Sequence, residues 1–118
     1  MDLSIIVVSY NTRQLLDDCL ASLYSAEAPT GGMEIIVVDN ASSDGSVDMV
    51  AGKYPGVTLL ACKDNLGFSA ANNRGTAVAH GDYLLFLNSD TVVFADSLVK
   101  PLGFMRANPQ VGALTVRL

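Results

Sequence analysis

The chain has 118 residues, half of them hydrophobic, with seven Lys and Arg against twelve Asp and Glu and a net charge of −5. That length holds one domain or part of one, and that apolar share builds a core without disulfide or metal staples. The basic residues are scattered, which argues against a nucleic-acid duplex or an anionic membrane surface as partner, and no run reaches the roughly 18 to 20 apolar residues of a membrane helix.

Segments of strand and helix character alternate along the chain, the arrangement of a parallel sheet with helices on both faces. Leu3 to Val8 is the first strand. It has neither a basic flank before it nor a cleavage-like site after it, so it reads as no leader peptide, and a cytoplasmic chain is expected. Asn11 or Thr12 is placed to cap a helix in which Leu15, Leu16, Cys19, Leu20 and Leu23 form one apolar stripe. Ala28 to Gly32 breaks that helix, and Glu34 to Val38 is a second, wholly apolar-ended strand. Asp44 sits at the N-cap of a short helix to about Lys53, Pro55-Gly56 turns the chain, and Val57 to Cys62 is the third strand.

Lys63 to Gly67 leads into a helix of small residues from about Phe68 to Ala79, closed by His80-Gly81. Asp82 to Leu87 is the fourth strand. A helix within Asp96 to Ala107 follows, its start limited by Pro101, and Val111 to Val116 reads as a last short strand. The order is βαβαβαβαβ, a doubly wound, mostly parallel α/β sheet with its crevice at the carboxyl ends of the strands. The two cysteines, Cys19 and Cys62, are too far apart and too isolated for a metal cluster or redox pair and read as small core residues.

Four polar clusters follow four strands: Ser9-Tyr10-Asn11, Asp39-Asn40 with Asp44, Asp64-Asn65, and Asn88-Ser89-Asp90. In a parallel sheet all four meet at one edge. Asp90 is placed to coordinate a hard divalent cation that neutralises a diphosphate, though Asn-Ser-Asp-Thr is also common turn chemistry. Asp39 is placed to accept hydrogen bonds from the imide or ribose of a nucleotide, whereas Asp44 reads better as a turn and cap residue. Neither a Walker loop nor a dinucleotide fingerprint occurs, so an NTPase or dehydrogenase is not expected. Arg74 is placed to pair with a phosphate or with Asp39, or simply to lie on a solvated helix face. His80 has no Ser or Cys partner, so no nucleophilic triad is proposed.

VVSYN at Val7 to Asn11, VVDNASSDGS at Val37 to Ser46, NLGFSAANNRG at Asn65 to Gly75 and FLNSDT at Phe86 to Thr91 together resemble the nucleotide-binding half of family 2 glycosyltransferases. The NLGFSAANN-type segment and the Asn-x-Asp signature resemble most its rhamnosyltransferase-like branch. This resemblance implies a GT-A fold, of the nucleotide-diphospho-sugar transferase type, over residues 1–118. It implies inverting transfer of a sugar, rhamnose by its branch, from a UDP- or dTDP-linked donor to a glycan or lipid-linked acceptor. Carried over by position, Ser9, Tyr10, Asn11, Asp39, Asn65, Gly67, Arg74, Asn88 and Ser89 line the nucleotide pocket, and Asp90 holds Mg2+ or Mn2+.

Two departures qualify the resemblance. Asn88 replaces the first carboxylate of the Asp-x-Asp motif, which removes a charge from the metal site. The acceptor-binding half, with its general base, is absent from these residues, so the chain reads as a truncated donor-binding part without transferase activity alone, and its catalytic base is not assigned. Truncation also implies an uncovered edge strand and last helix, hence self-association as a homodimer. A lipid-linked acceptor would bring the chain to the inner membrane face. Two alternatives stand beside this reading, a nucleotidyltransferase, for which SYNTRQ offers only Arg13 after the first strand, and a non-catalytic self-associating α/β module.

Overall fold

In the computed structural model, which describes residues 1–115, four strands form one parallel sheet in the order β3-β2-β1-β4. The strands are β1 (Leu3–Ser9), β2 (Met33–Asp39), β3 (Thr58–Ala61) and β4 (Tyr83–Asn88), and the helices are α1 (Arg13–Ser25), α2 (Ser46–Lys53), α3 (Phe68–Val78) and α4 (Val99–Ala107). β1 and β2 are central and buried on both faces, which is why their sequences run apolar without alternation.

The chain steps outward from β1 to β2 to β3, then crosses back over β1 to β4. Right-handed crossovers made in opposite directions put their helices on opposite faces. The packing follows that rule. Ile5, Val7, Ile35 and Val37 meet Leu16, Cys19, Leu20 and Leu23 of α1 and Val50 of α2 on one face. Ile6, Ile36 and Val38 meet Ala71 of α3 on the other. Gly75 lets α3 lie close to the sheet, since a Cβ there would stand 2.6 Å from Cγ2 of Ile6.

Several sequence expectations need correction. Residues 111–115 of the last expected strand carry no regular structure, and Val116 lies outside the described residues. An isolated apolar run becomes a strand only where a ladder receives it, and β4 is the sheet's edge in this structure. α4 begins at Val99, so Pro101 falls in its first turn, where a missing N–H costs nothing. α3 ends at Val78 with Ala79 extended rather than in a left-handed glycine cap. Gly81 answers a different need: a Cβ there would stand 2.5 Å from the backbone nitrogen of Ser4.

β4 is covered on one face only. Leu87 is buried, while Leu84 and Phe86 are 40% and 51% exposed on the face that α3 does not reach. A groove of about 700 Å³ runs beside this edge, between β4, α4 and residues 111–115. It lies along the strand edge and not at the carboxyl ends of the strands. No helix among the described residues is long and apolar enough to cross a membrane.

At the amino end of the sheet, Ser4 donates to Glu34 (2.6 Å), whose carboxylate also accepts from the backbone N–H of His80 (2.6 Å). Burial alone would raise Glu34, but these bonds and the His80 ring outweigh it and hold the carboxyl below its ordinary value. This cluster ties the entrance of β4 to β1 and β2, and it accounts for His80.

Candidate functional site at the carboxyl edge of the sheet

The register brings the separated polar clusters together. Ser9 of β1 stands beside Asp39 of β2, and Val8 stands beside Asn88 of β4. β1 has neighbours reached by crossovers in opposite directions, so the space beyond its end is the switch point where open α/β sheets bind ligands. Ser9-Tyr10-Asn11, Asp39-Asn40 with Asp44, and Asn88-Ser89-Asp90 all leave the sheet at this edge.

Asp39 is 1% exposed. Its Oδ2 accepts the backbone N–H of Ser42 at 2.8 Å. Its Oδ1 is buried and has no hydrogen-bond partner among the described residues. A buried acceptor left unpaired costs about 1–3 kcal/mol, more when charged. Asn40 beside it is engaged at both ends of its amide: its Oδ1 accepts from Leu66 N–H and its Nδ2 donates to the Gly67 carbonyl, both at 3.2 Å. Those bonds bring the loop before α3 to the end of β2. Within that loop Asn65 Oδ1 accepts the N–H of Gly67 at 2.9 Å, and Gly67 takes a φ of 80°, open to glycine at little cost.

The loops after β1 and β2 are laced to each other. Asn11 N–H donates to Ser42 Oγ and Ser43 N–H to Asn11 Oδ1, both at 2.8 Å. Asp44 Oδ2 accepts the N–H of Arg13 at 3.0 Å, while its Oδ1 accepts from the N–H and hydroxyl of Ser46. One carboxylate thus serves the open amides at the starts of α1 and α2, and the Ser46 hydroxyl foremost holds it below the ordinary value. The expectation that Asn11 or Thr12 caps α1 with its side chain is corrected, and so is that of Asp44 at the N-cap of α2, a position Gly45 takes with Asp44 one residue before it. Thr12 occupies the N-cap position, but its side chain makes no cap bond.

Tyr10 is 50% exposed at this edge, and Asn65, Asn88 and Asp90 are exposed as well. Ser89 is half-buried and its hydroxyl lies 3.0 Å from that of Thr12. Cys19 lies beneath this turn, its Sγ 3.9 Å from the Asn88 carbonyl. Burial and then the charge of Asp90 push the Cys19 thiol up to about 11, so it is an inert core group, as expected. Arg74 is exposed on α3. It lies seven residues along α3 from Gly67, about 10 Å at the helical rise, and pairs with neither Asp39 nor another described carboxylate.

Among the described residues no three His, Cys, Asp or Glu side chains gather around a common point to hold an ion. Asp90 nevertheless offers a hard oxygen donor in an open turn closed by Thr91 N–H to Asn88 carbonyl (3.1 Å). That fits an open Mg2+ or Mn2+ site in which ligand phosphates and water supply most of the coordination. The roles of Thr12 and Asn40 escaped the sequence reading, because each bonds to residues remote in the chain.

The sequence pattern described as Glycosyl transferase family 2 matches residues 4–118. The chain belongs to this family. It is 33% identical over 112 residues to the poly(ribitol-phosphate) beta-glucosyltransferase of Bacillus spizizenii, covering 92% of this chain and 18% of that protein. Among solved structures it is similar to the mannosyltransferase PcManGT of Pyrobaculum calidifontis, in complex with GDP-Man and Mn2+, with a TM-score of 0.83, 27% identity, and coverage of 98% of this chain and 35% of that one. It shares its fold with S. aureus TarS 1-349 in complex with UDP, with a TM-score of 0.84, 24% identity, and coverage of 100% of this chain and 38% of that one. The chain thus spans well under half the length of each of these proteins, and its α/β sheet is that of the GT-A glycosyltransferases.

Proposed function

We propose that this chain is the donor-binding part of a glycosyltransferase that moves a sugar, with inversion, from a nucleoside diphosphate to a hydroxyl of a glycan or lipid-linked acceptor. The observation that carries the reading is Asp39. One oxygen is held by the Ser42 N–H and the other is buried without a partner among the described residues, at the switch point of the sheet. The imide N–H of a base or a ribose hydroxyl would satisfy that oxygen and replace the missing bond. The half-exposed Tyr10 offers a ring face for the base beside it. Ser9, Asn11, Asn65 and Gly67 shape the walls through the loop bonds already described, and Asn88 and Ser89 face the diphosphate. Arg74 is assigned a solvent role or a contact with an outlying part of the donor.

The edge carries the carboxylates of Asp39, Asp44, Asp64 and Asp90 against the nearby charges of Arg13 and Lys63. A diphosphate would be repelled there unless its charge were offset, which supports Mg2+ or Mn2+ held by Asp90. Such an ion stabilises the negative charge that develops on the departing diphosphate. No general base is assigned within these residues. The acceptor half implied by the family would carry it, so the isolated chain is expected to bind donor without transferring sugar. The chain is placed in the cytoplasm, at the inner membrane face where the acceptor is lipid-linked.

Calorimetric titration with UDP, dTDP and GDP, with and without Mn2+, tests the reading. Saturable binding of at least one, strengthened by Mn2+, is expected; a folded chain that gives no heat with any of them refutes it. The same titration with UDP- and GDP-linked sugars and dTDP-rhamnose reports on the donor, rhamnose being the sugar of the branch whose motifs this chain resembles. A second reading, self-association as a homodimer, is favoured by the exposed Leu84 and Phe86 on β4. A sedimentation mass that rises with concentration, and falls back in Phe86→Ser, is expected; a wild-type monomer at high concentration refutes it.

A further inference from the structure

Thr12 makes no side-chain cap on the helix it precedes, although a threonine oxygen at the N-cap ordinarily accepts the N–H of the second or third helical residue. The reason lies in its neighbours. The Thr12 hydroxyl is engaged outside the helix, 3.1 Å from Ser9 Oγ and 3.0 Å from Ser89 Oγ. Asp44, from the loop after β2, takes the first helical amide, Arg13 N–H, at 3.0 Å. Three hydroxyls from residues 9, 12 and 89 form a chain across the switch point, from the end of β1 to the turn after β4.

This chain of hydroxyls ties the Ser89 side chain to the rest of the carboxyl edge. The turn is also held by the Thr91 N–H to Asn88 carbonyl bond and by the longer Cys19 Sγ contact to that same carbonyl. Asp90 follows Ser89 directly, so the direction in which its carboxylate points depends on where Ser89 is held. Ser9 is 1% exposed and cannot swing away, which makes it a firm anchor. Thr12 is the middle link, with one O–H to donate and two lone pairs to accept with.

We propose that Thr12 is a positioning residue for the diphosphate and its divalent cation, acting through Ser89 to fix the turn that carries Asp90. This rests on the donor-binding reading above. It differs from a structural role in a measurable way. A residue that only supports the fold would, when altered, weaken nucleotide binding equally with and without cation. A residue that aims Asp90 weakens the part of the binding that the cation adds.

The test compares wild type, Thr12→Val, which keeps the shape and removes the hydroxyl, and Thr12→Ser, which restores the hydroxyl. Each is titrated with whichever of UDP, dTDP or GDP the wild type binds, with and without Mn2+, and amide hydrogen exchange is followed at residues 89–91 without ligand. In T12V the Mn2+-dependent gain in affinity is expected to fall about three- to tenfold, the worth of one or two lost hydrogen bonds. Metal-free affinity should hold within about twofold, exchange at residues 89–91 should quicken, and T12S should recover both. A T12V chain that keeps the full Mn2+ gain, or loses metal-free and metal-assisted binding in equal measure, overturns the inference while leaving the donor-binding reading intact. A wild-type chain that binds no nucleotide overturns that reading and the inference with it; unchanged exchange at residues 89–91 in T12V overturns the inference alone.

Discussion

Replacing Gly75 with alanine adds one methyl group where α3 lies against β1 and β2. In an open helix interior the change is favourable, by about 0.5–1 kcal/mol, because glycine carries the larger backbone entropy into the folded state. At Gly75 the new Cβ would stand 2.6 Å from Cγ2 of Ile6 and 3.3 Å from Cγ2 of Val38. Both side chains are fully buried on the central strands, so neither has room to retreat. Overpacking of this kind costs about 1–3 kcal/mol, which leaves a net loss of about 1–2 kcal/mol. An unfolding entropy of about 2.1 cal/mol/K per residue gives roughly 250 cal/mol/K for 118 residues. The melting temperature of G75A should therefore fall by about 4–8 °C. Gly52 provides the internal control, since a Cβ there meets nothing within 4 Å. G52A should gain the propensity term alone and melt about 2–4 °C higher. Far-UV circular dichroism melts, with urea titrations at one temperature, measure both. A G75A chain as stable as wild type, or stabilised like G52A, would refute the claim that glycine is there for helix–sheet contact.

Asp39→Asn keeps an oxygen for the Ser42 N–H and removes the charge, so its melting temperature is expected to stay within about 2 °C while nucleotide affinity falls roughly ten- to a hundredfold, the range for a charged hydrogen bond; calorimetry and a melt on the same sample check it, and equal losses of stability and affinity would argue that Asp39 is structural. Glu34 and Asp44, whose carboxyls sit below their ordinary values of 4.5 and 3.8 in the folded chain, contribute to the pH dependence together with Asp2, Asp17 and Asp96, which are lowered too. The unfolded chain then binds protons more readily, so their contribution is present above those ordinary values and declines as the pH falls through them to the lower folded values. The urea midpoint should fall between about pH 5 and about pH 3, and less steeply in Glu34→Gln; a midpoint flat over that span would contradict the assignment.

The central sheet was legible because β1 and β2 are buried on both faces, and a continuous apolar run of five or more residues bounded by turns reports that burial directly. The stripe Leu16, Cys19, Leu20 and Leu23 likewise forms the buried face of α1. YLLFLN in β4 has the same apolar look as β1, yet Leu84 and Phe86 are exposed, since hydrophobicity records that a face needs cover and not whether cover is present. For the same reason the apolar residues 111–115 promised a strand that no ladder receives. The convergence of Ser9, Asp39 and Asn88 followed from topology alone, and the register places it residue by residue. Thr12 was opaque, since cap preference is a local statistic and its hydroxyl is engaged by Ser89, 77 positions away. Arg74, read as pairing with a phosphate or Asp39 or lying on a solvated helix face, is exposed on α3 and pairs with no carboxylate among the described residues.

Two residues without glycine's freedom adopt left-handed backbone at this edge, Asn11 with φ 49° and Ala41 with φ 66°. Asparagine tolerates that region when its side chain bonds nearby backbone, and Asn11 does so through Ser43. Alanine has no such compensation and costs about 1–2 kcal/mol there. The gain lies in what Ala41 permits: Ser42 turns its N–H back to Asp39 Oδ2 while its hydroxyl receives the N–H of Asn11. A loop shaped only for stability would have no reason to strain its backbone, satisfy one oxygen of a buried carboxylate, and leave the second without a partner among the described residues. Strain that fixes Asp39 together with a deficit at Oδ1 is the combination expected of an acceptor preorganised for a donor group brought by a ligand.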